Sequence, residues 1–254
     1  MDGLASNYLD DLKRVLTNTV SRAEPDIDQE SPQAFMQEFT EHYIRGSALS
    51  MLPLARFDHL HDCIEKVIAE DVPGDLIEAG AWRGGASIFM RAVLHKHQVT
   101  DRIVWVADSF EGLPDPDPDR FPHEARMHGS AVMSRRYNRF AACLDEVRGN
   151  FARFQLLDDQ VRFLKGWFKD TLPGAPIERL AILRLDGDYY QSTMDGLINL
   201  YDKLSPGGYV IVDDYGETSW TSCARAVDEF RAERGITEPL IRVDSKCYHW
   251  RRMT

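Results

Sequence analysis

The chain has no surplus of positive charge: 30 lysines and arginines stand against 41 aspartates and glutamates, for a net charge of -11. That sign opposes any partner whose affinity comes from neutralised phosphates, so no nucleic-acid partner is expected. Cysteine is scarce. The four present, Cys63, Cys143, Cys223 and Cys247, include no Cys-x-x-Cys pair, which argues against a zinc site and a disulfide framework and fits a reducing cytoplasm. No apolar run approaches the roughly 18–20 residues of a spanning helix, and the N-terminus lacks the basic flank and apolar stretch of a signal peptide. A soluble, cytoplasmic protein with no membrane partner is therefore expected. The dinucleotide fingerprint Gly-x-Gly-x-x-Gly is missing as well, which weighs against a nucleotide-binding oxidoreductase.

What the sequence does hold is enough apolar residue, 43% of 254 positions, for one sizeable α/β core with additions. Tyr8, Leu9, Leu12, Val15 and Leu16 recur at helical spacing over residues 8–20, and two further helical patterns cover about 33–45 and 58–71. The pattern then changes. Five short apolar runs, at 75–80, 103–108, 161–166, 180–188 and 209–214, read as buried strands. Helical segments at about 85–97, 138–154, 190–204 and 221–235 separate most of them. This alternation predicts a doubly wound, mostly parallel sheet. Residues 239–243 and 247–252 suit an antiparallel hairpin at one edge. On this reading residues 1–72 form a helical N-terminal cap and 73–254 the catalytic domain. Residues 111–137, with four prolines and many charges, fit neither strand nor helix and are expected to be a lid or a disordered loop.

The first strand ends in Glu78-Ala79-Gly80-Ala81-Trp82-Arg83-Gly84-Gly85, with glycines where a backbone must turn and approach a ligand. For this fragment alone an ordinary tight turn explains the glycines equally well. Asp108 closes the second strand, where an acid can accept both hydrogen bonds of a ribose diol, although Asp108 or Ser109 can also simply cap the next helix. Gly166-Trp167-Phe168 ends the third strand and offers flat faces for an adenine, or packing. The carboxylates say more. Asp186 and Asp188 end the fourth strand, and Asp213 and Asp214 the fifth. Four acids at adjacent strand ends repel one another and lose hydration, a conflict that a cation resolves. An all-oxygen set favours Mg²⁺ or a similar divalent metal. Either pair alone reads more simply as solvated helix caps; the metal reading rests on both together. The histidines carry less. His59 and His61 are two apart and face different ways on a helix. His123 and His128 sit in the 111–137 segment, where a solvated loop histidine is commoner than one touching substrate.

Taken in order, YLDDLKRVLTN, DLIEAGAWRGGASIF, VWVADSFEGLP, GWFKDTLP, LRLDGDYYQSTMD and LSPGGYVIVDDY resemble the macrocin O-methyltransferase family of antibiotic deoxysugar O-methyltransferases over nearly the whole chain. The resemblance implies a Rossmann-like class I methyltransferase that moves a methyl group from S-adenosylmethionine to a sugar hydroxyl of a glycosylated natural product, of macrolide or aminocoumarin type, with Mg²⁺. It implies cofactor contacts from Glu78, Gly80, Ala81, Asp108, Ser109, Gly166, Trp167, Phe168 and Asp186. Asp186, Asp213 and Asp214 are implied as metal ligands and Asp188 as the base. A homodimer is implied by analogy. The family is similar in fold to catechol-type methyltransferases, the alternative reading, in which a lysine occupies the position held here by Tyr189; that departure counts against a phenolic acceptor.

Overall fold

The computed structural model describes residues 2–25, 37–130, 140–217 and 222–254. The expected helix at 33–45 and the expected lid at 111–137 therefore lie partly outside the described residues. The chain opens with α1 (Asp2–Leu16), a π-helical turn at Thr40–Ile44 and α2 (Leu54–Ala69). Five strands and their crossovers come next: β1 (Asp75–Ala79), α3 (Gly85–Lys96), β2 (Val104–Asp108), α4 (Pro122–Gly129), α5 (Leu144–Arg153), β3 (Val161–Lys165), α6 (Phe168–Thr171), β4 (Leu180–Leu185), α7 (Tyr190–Leu200) and β5 (Leu204–Val212). The chain closes with α8 (Ser222–Arg234), β6 (Ile241–Arg242) and β7 (Tyr248–Arg251).

The strands stand in the order β3-β2-β1-β4-β5-β7-β6. β1 to β5 are parallel, and β7 runs antiparallel to both β5 and β6, so the expected edge hairpin is present. β4 is buried at all six positions, because helices cover both faces of a parallel sheet and its central strands read as continuous apolar runs. One apolar cluster joins α2 and α3 to the sheet through Phe57, Leu60, Ile64, Phe89 and Tyr209; the other lies on the opposite face around Leu183, Leu197, Val210 and Phe230. The first helix runs from Asp2 to Leu16 rather than over 8–20, and three further elements differ from the sequence reading. β5 starts at Leu204 rather than 209, because a register shift between Leu180↔Leu204 and Ile182↔Tyr209 absorbs the Ser-Pro-Gly-Gly run. The 111–137 segment contains α4, with proline at its start, where the missing N–H costs nothing. Phe168 begins the one-turn helix α6. All four cysteines are unpaired. Among the described residues no helix is long and apolar enough to cross a membrane.

Register fixes where the loops emerge. Ala79 pairs with Ala107 and with Leu185, and Leu185 with Val212, so the strands end level at one edge. The ladder extends one bond further, through Gly80 N–H to Ala107 O (2.8 Å), Asp186 N–H to Ala79 O (2.8 Å) and Asp213 N–H to Leu185 O (2.9 Å). The strand order changes direction between β1 and β4, the crevice where such sheets bind ligands.

Candidate active site

The turn after β1 is built for close approach. Gly80 adopts φ +97°, and a Cβ there would lie 1.8 Å from the carbonyl oxygen of Asp186, so only glycine permits β1 and β4 to end side by side. Asp108 holds the turn: its Oδ2 accepts the N–H groups of Ala81 (2.7 Å) and Trp82 (3.1 Å), and its Oδ1 that of Phe110 (2.7 Å). Burial raises its carboxyl above the usual range against these three donors. The acid expected to meet a ribose thus also organises the glycine turn. Ser109 closes its own loop, donating to Gly112 O at 2.7 Å.

A cavity of about 610 Å³ opens above these strand ends. Of the residues expected to contact cofactor, Gly80, Asp108, Ser109, Gly166, Trp167, Phe168 and Asp186 line it. Glu78 and Ala81 do not. Ala81 contributes its N–H to Asp108, while Glu78 is 2% exposed and accepts from Arg184 Nη1 at 2.7 Å and from Ser87. Burial pushes the Glu78 carboxyl up to about 7 in spite of both partners.

Beside the glycine turn, at the ends of β4 and β5, the acids converge. Asp186, Asp213 and Asp214 each present an oxygen, and these oxygens all lie within 4.8 Å of one another. Asp188 stands outside that group but lines the same cavity, in the left-handed conformation at φ +58°, with its N–H donating to Asp214 Oδ2 at 3.2 Å. Burial, with Asp213 adding to it, lifts Asp186 to about 6, against Arg184 and Arg56. Asp188 is held well above the usual range by burial and then by Asp186, Asp213 and Glu217, with Lys246 opposing. Asp214 is raised likewise, by burial and by Asp188, Asp186 and Asp213. Carboxyls held this high in one place are short of positive charge. An all-oxygen set of this size fits Mg²⁺ completed by water and acceptor oxygens, and the charge such an ion supplies favours the ionised form of every carboxyl around it.

Two arginines that the sequence reading did not single out organise the acids. Arg184, 1% exposed one residue before the end of β4, donates to Glu78 (2.7 Å), Asp186 (3.0 Å) and Asp213 Oδ1 (2.7 Å). A cation inside the apolar run Leu180–Leu185 was the signal for it. Arg56, from α2, reaches Asp213 Oδ2 at 2.6 Å and Asp244 at 2.6 Å, pairings 157 and 188 residues apart that no local pattern reveals. Lys246 and Glu217, paired at 2.7 Å, complete this wall. His59, His61 and His128 have partners other than Asp186, Asp188, Asp213 and Asp214: His61 meets Glu65, His59 meets Cys63, and His128 bridges Tyr189 Oη and Asp115, each of the last two at 3.1 Å. His123 and His128 do not line the cavity.

The remaining walls come from outside the sheet. Tyr43, Met51 and Pro53 precede β1, and Asp117, Phe121 and Glu124 belong to the 111–130 segment. Glu124, 3% exposed, accepts the N–H of Tyr190 at 3.1 Å, and Phe121 packs on the Tyr190 ring at 4.9 Å.

Comparison with known proteins gives the family. The family model described as macrocin O-methyltransferase matches residues 44–252. The 8-demethyl-8-(2,3-dimethoxy-alpha-L-rhamnosyl)-tetracenomycin-C 4'-O-methyltransferase of Streptomyces olivaceus is 48% identical over 96% of this chain and 92% of its own. The mycinamicin III 3''-O-methyltransferase of Micromonospora griseorubida is 43% identical over 96% of both. Among solved structures, the O-methyltransferase NovP superposes with a TM-score of 0.85 at 45% identity, covering 98% of this chain and all of that one.

Proposed function

Because the chain belongs to the macrocin O-methyltransferase family, and is therefore an S-adenosylmethionine-dependent methyltransferase, we propose that it methylates a sugar hydroxyl on a glycosylated natural product, assisted by Mg²⁺ or a similar ion. The observation that carries this reading is the convergence of Asp186, Asp213 and Asp214 beside Asp188 in one cavity with the glycine turn. A sugar hydroxyl is a weak nucleophile, and a divalent ion supplies stabilisation of the developing alkoxide charge. Asp186, Asp213 and Asp214 are the residues proposed to hold it.

The chain's own groups divide the rest of the work. Gly80, Asp108, Ser109 and the Gly166-Trp167-Phe168 turn, after β1, β2 and β3, are proposed to hold the nucleoside, and the acids follow β4 and β5 in the same cavity. This arrangement favours an acceptor oxygen placed in line with the sulfonium methyl. Asp188 would take the hydroxyl proton on its carboxylate, and S-adenosylmethionine, held by the residues around the glycine turn, would supply the electrophilic methyl group. Residues 111–137 and the N-terminal helices are proposed as substrate cover. Tyr8 and Val15 leave apolar surface exposed on the first helix and Val20 just after it, which supports placing the contact of a homodimer there; the molar mass in solution checks for the dimer. A phenolic acceptor is the weaker reading, since Tyr189 stands where the catechol-type enzymes carry lysine, and its hydroxyl is engaged by His128.

Titration calorimetry tests the proposal. Protein saturated with S-adenosylhomocysteine should bind a rhamnoside with free adjacent hydroxyls more tightly when Mg²⁺ is present. Binding indifferent to Mg²⁺ and to chelators would remove the metal from the reaction; preference for a catechol over the glycoside would overturn the sugar acceptor.

A further inference from the structure

Asp213 is a carboxylate held from two sides. Arg184 Nη2 donates to its Oδ1 at 2.7 Å, and Arg56 Nη1 to its Oδ2 at 2.6 Å. Arg184 belongs to the sheet. Arg56 does not: it sits in the first turn of α2 and is 7% exposed. The rest of its guanidinium grips Asp244, Nε to Oδ2 at 2.6 Å and Nη2 to Oδ1 at 3.2 Å. Asp244 in turn accepts the N–H groups of Lys246 and Cys247, each at 2.8 Å, and the carbonyl of Lys246 accepts the N–H of Gly216 at 2.7 Å. One guanidinium therefore ties α2, the loop after β5 and the turn between β6 and β7 to a single carboxylate.

Each carboxylate oxygen offers two lone-pair directions. A guanidinium on one of them leaves the other, and its planar fork determines which way that other points. We propose that Arg56 is a positioning residue for the cation site: it fixes the plane of Asp213 so that the carboxylate presents a free lone pair toward Asp186 and Asp214. The inference rests on the metal-assisted reading above. It also makes a prediction opposite in sign to plain electrostatics. A guanidinium that acted only as a nearby positive charge would repel a divalent ion, and its removal would tighten metal binding. Removal of a group that orients a ligand loosens metal binding instead, by about 10–100-fold for partners of this kind.

The experiment is calorimetric titration of Mg²⁺ into protein saturated with S-adenosylhomocysteine, comparing the natural chain with Arg56→Met, Arg56→Lys and Asp244→Asn. We expect Arg56→Met to raise the Mg²⁺ dissociation constant by about 10–100-fold while the affinity for S-adenosylhomocysteine is unchanged. Arg56→Lys should fall between, since one ammonium keeps the charge but cannot serve both carboxylates with a planar fork. Asp244→Asn leaves Arg56 charged but loosens its anchor, and should weaken Mg²⁺ in the same direction; it decides the matter if Arg56→Met does not fold. Mg²⁺ binding that is unchanged or tighter in these variants overturns the proposal. Failure of the natural chain to bind Mg²⁺ is a different result, and it overturns the metal-assisted reading itself.

Discussion

Asp188 differs from its three acidic neighbours in what surrounds it. Asp186 and Asp213 are gripped by arginine, and Asp214 accepts the N–H of Asp188. Asp188 has a left-handed backbone, which places its carboxyl in the cavity just before α7 begins. A carboxyl raised by burial and by like charges is, once ionised, a stronger proton acceptor than a solvated one. Asp188→Asn should therefore keep binding of S-adenosylhomocysteine and Mg²⁺ while kcat falls by about 10²–10⁴-fold, the usual worth of a positioned base. Asp213→Asn should lose activity together with metal affinity. Stopped-assay kinetics alongside calorimetry separate the two. Normal turnover by Asp188→Asn takes it out of the base role.

At the scale of elements, the parallel sheet was legible because buried strands leave apolar runs that glycine turns and acids interrupt, as in Leu180–Leu185 before Asp186. Two kinds of information were not local. The start of β5 depends on the bulge opposite Leu180. The helix α4 depends on partners far along the chain, since Glu124 meets α7 across 66 residues and a proline-rich, charged segment gives no apolar period of its own. The acids of the site were legible for the same reason as the strands; Arg56 and Arg184 act through pairings that spacing does not encode. Among the described residues α4 meets the start of α7 through Glu124 on the Tyr190 N–H, His128 on Tyr189 Oη and, just before the helix, Phe121 on the Tyr190 ring, a small set of contacts for holding an element closed. Arg120 and Arg126 in this segment are both exposed, Arg120 in the loop before α4 and Arg126 within the helix. Trypsin should cleave after Arg120 in the free protein, and S-adenosylhomocysteine with acceptor should suppress that cleavage. Equal rates in both states would count against a covering role.

For the molecule as a whole, the N-terminal helices are joined to the sheet by groups that titrate. His59 of α2 packs against His249 of β7 with ring centroids 4.2 Å apart, beside the Arg56–Asp244 pair and the Arg251–Glu70 pair that cross the same boundary. Burial, then His249 and Lys66, lowers His59 from 6.5 to about 4, and burial lowers His249 in the same direction. With the folded value below the unfolded one, the unfolded chain binds the proton first. The contribution of His59 to stability is thus complete above pH 6.5 and is lost as pH falls toward and through 4, an effect of about 2 kcal/mol after allowance for partial exposure. The raised carboxyls Asp186, Asp188 and Asp214 act with the opposite sign: their cost to the fold vanishes below the ordinary carboxylate range and grows as pH rises through their folded values. The two effects overlap, so the total pH profile does not isolate either, and a difference between variants does. His59→Phe preserves a ring against His249 and removes the titration. Urea unfolding at pH 7 and pH 4.5 should show the natural chain losing about 1–2 kcal/mol more than His59→Phe between the two. Parallel losses would show that the interface of α2 with β7 does not exclude the charged imidazole, and that acid opens the molecule elsewhere.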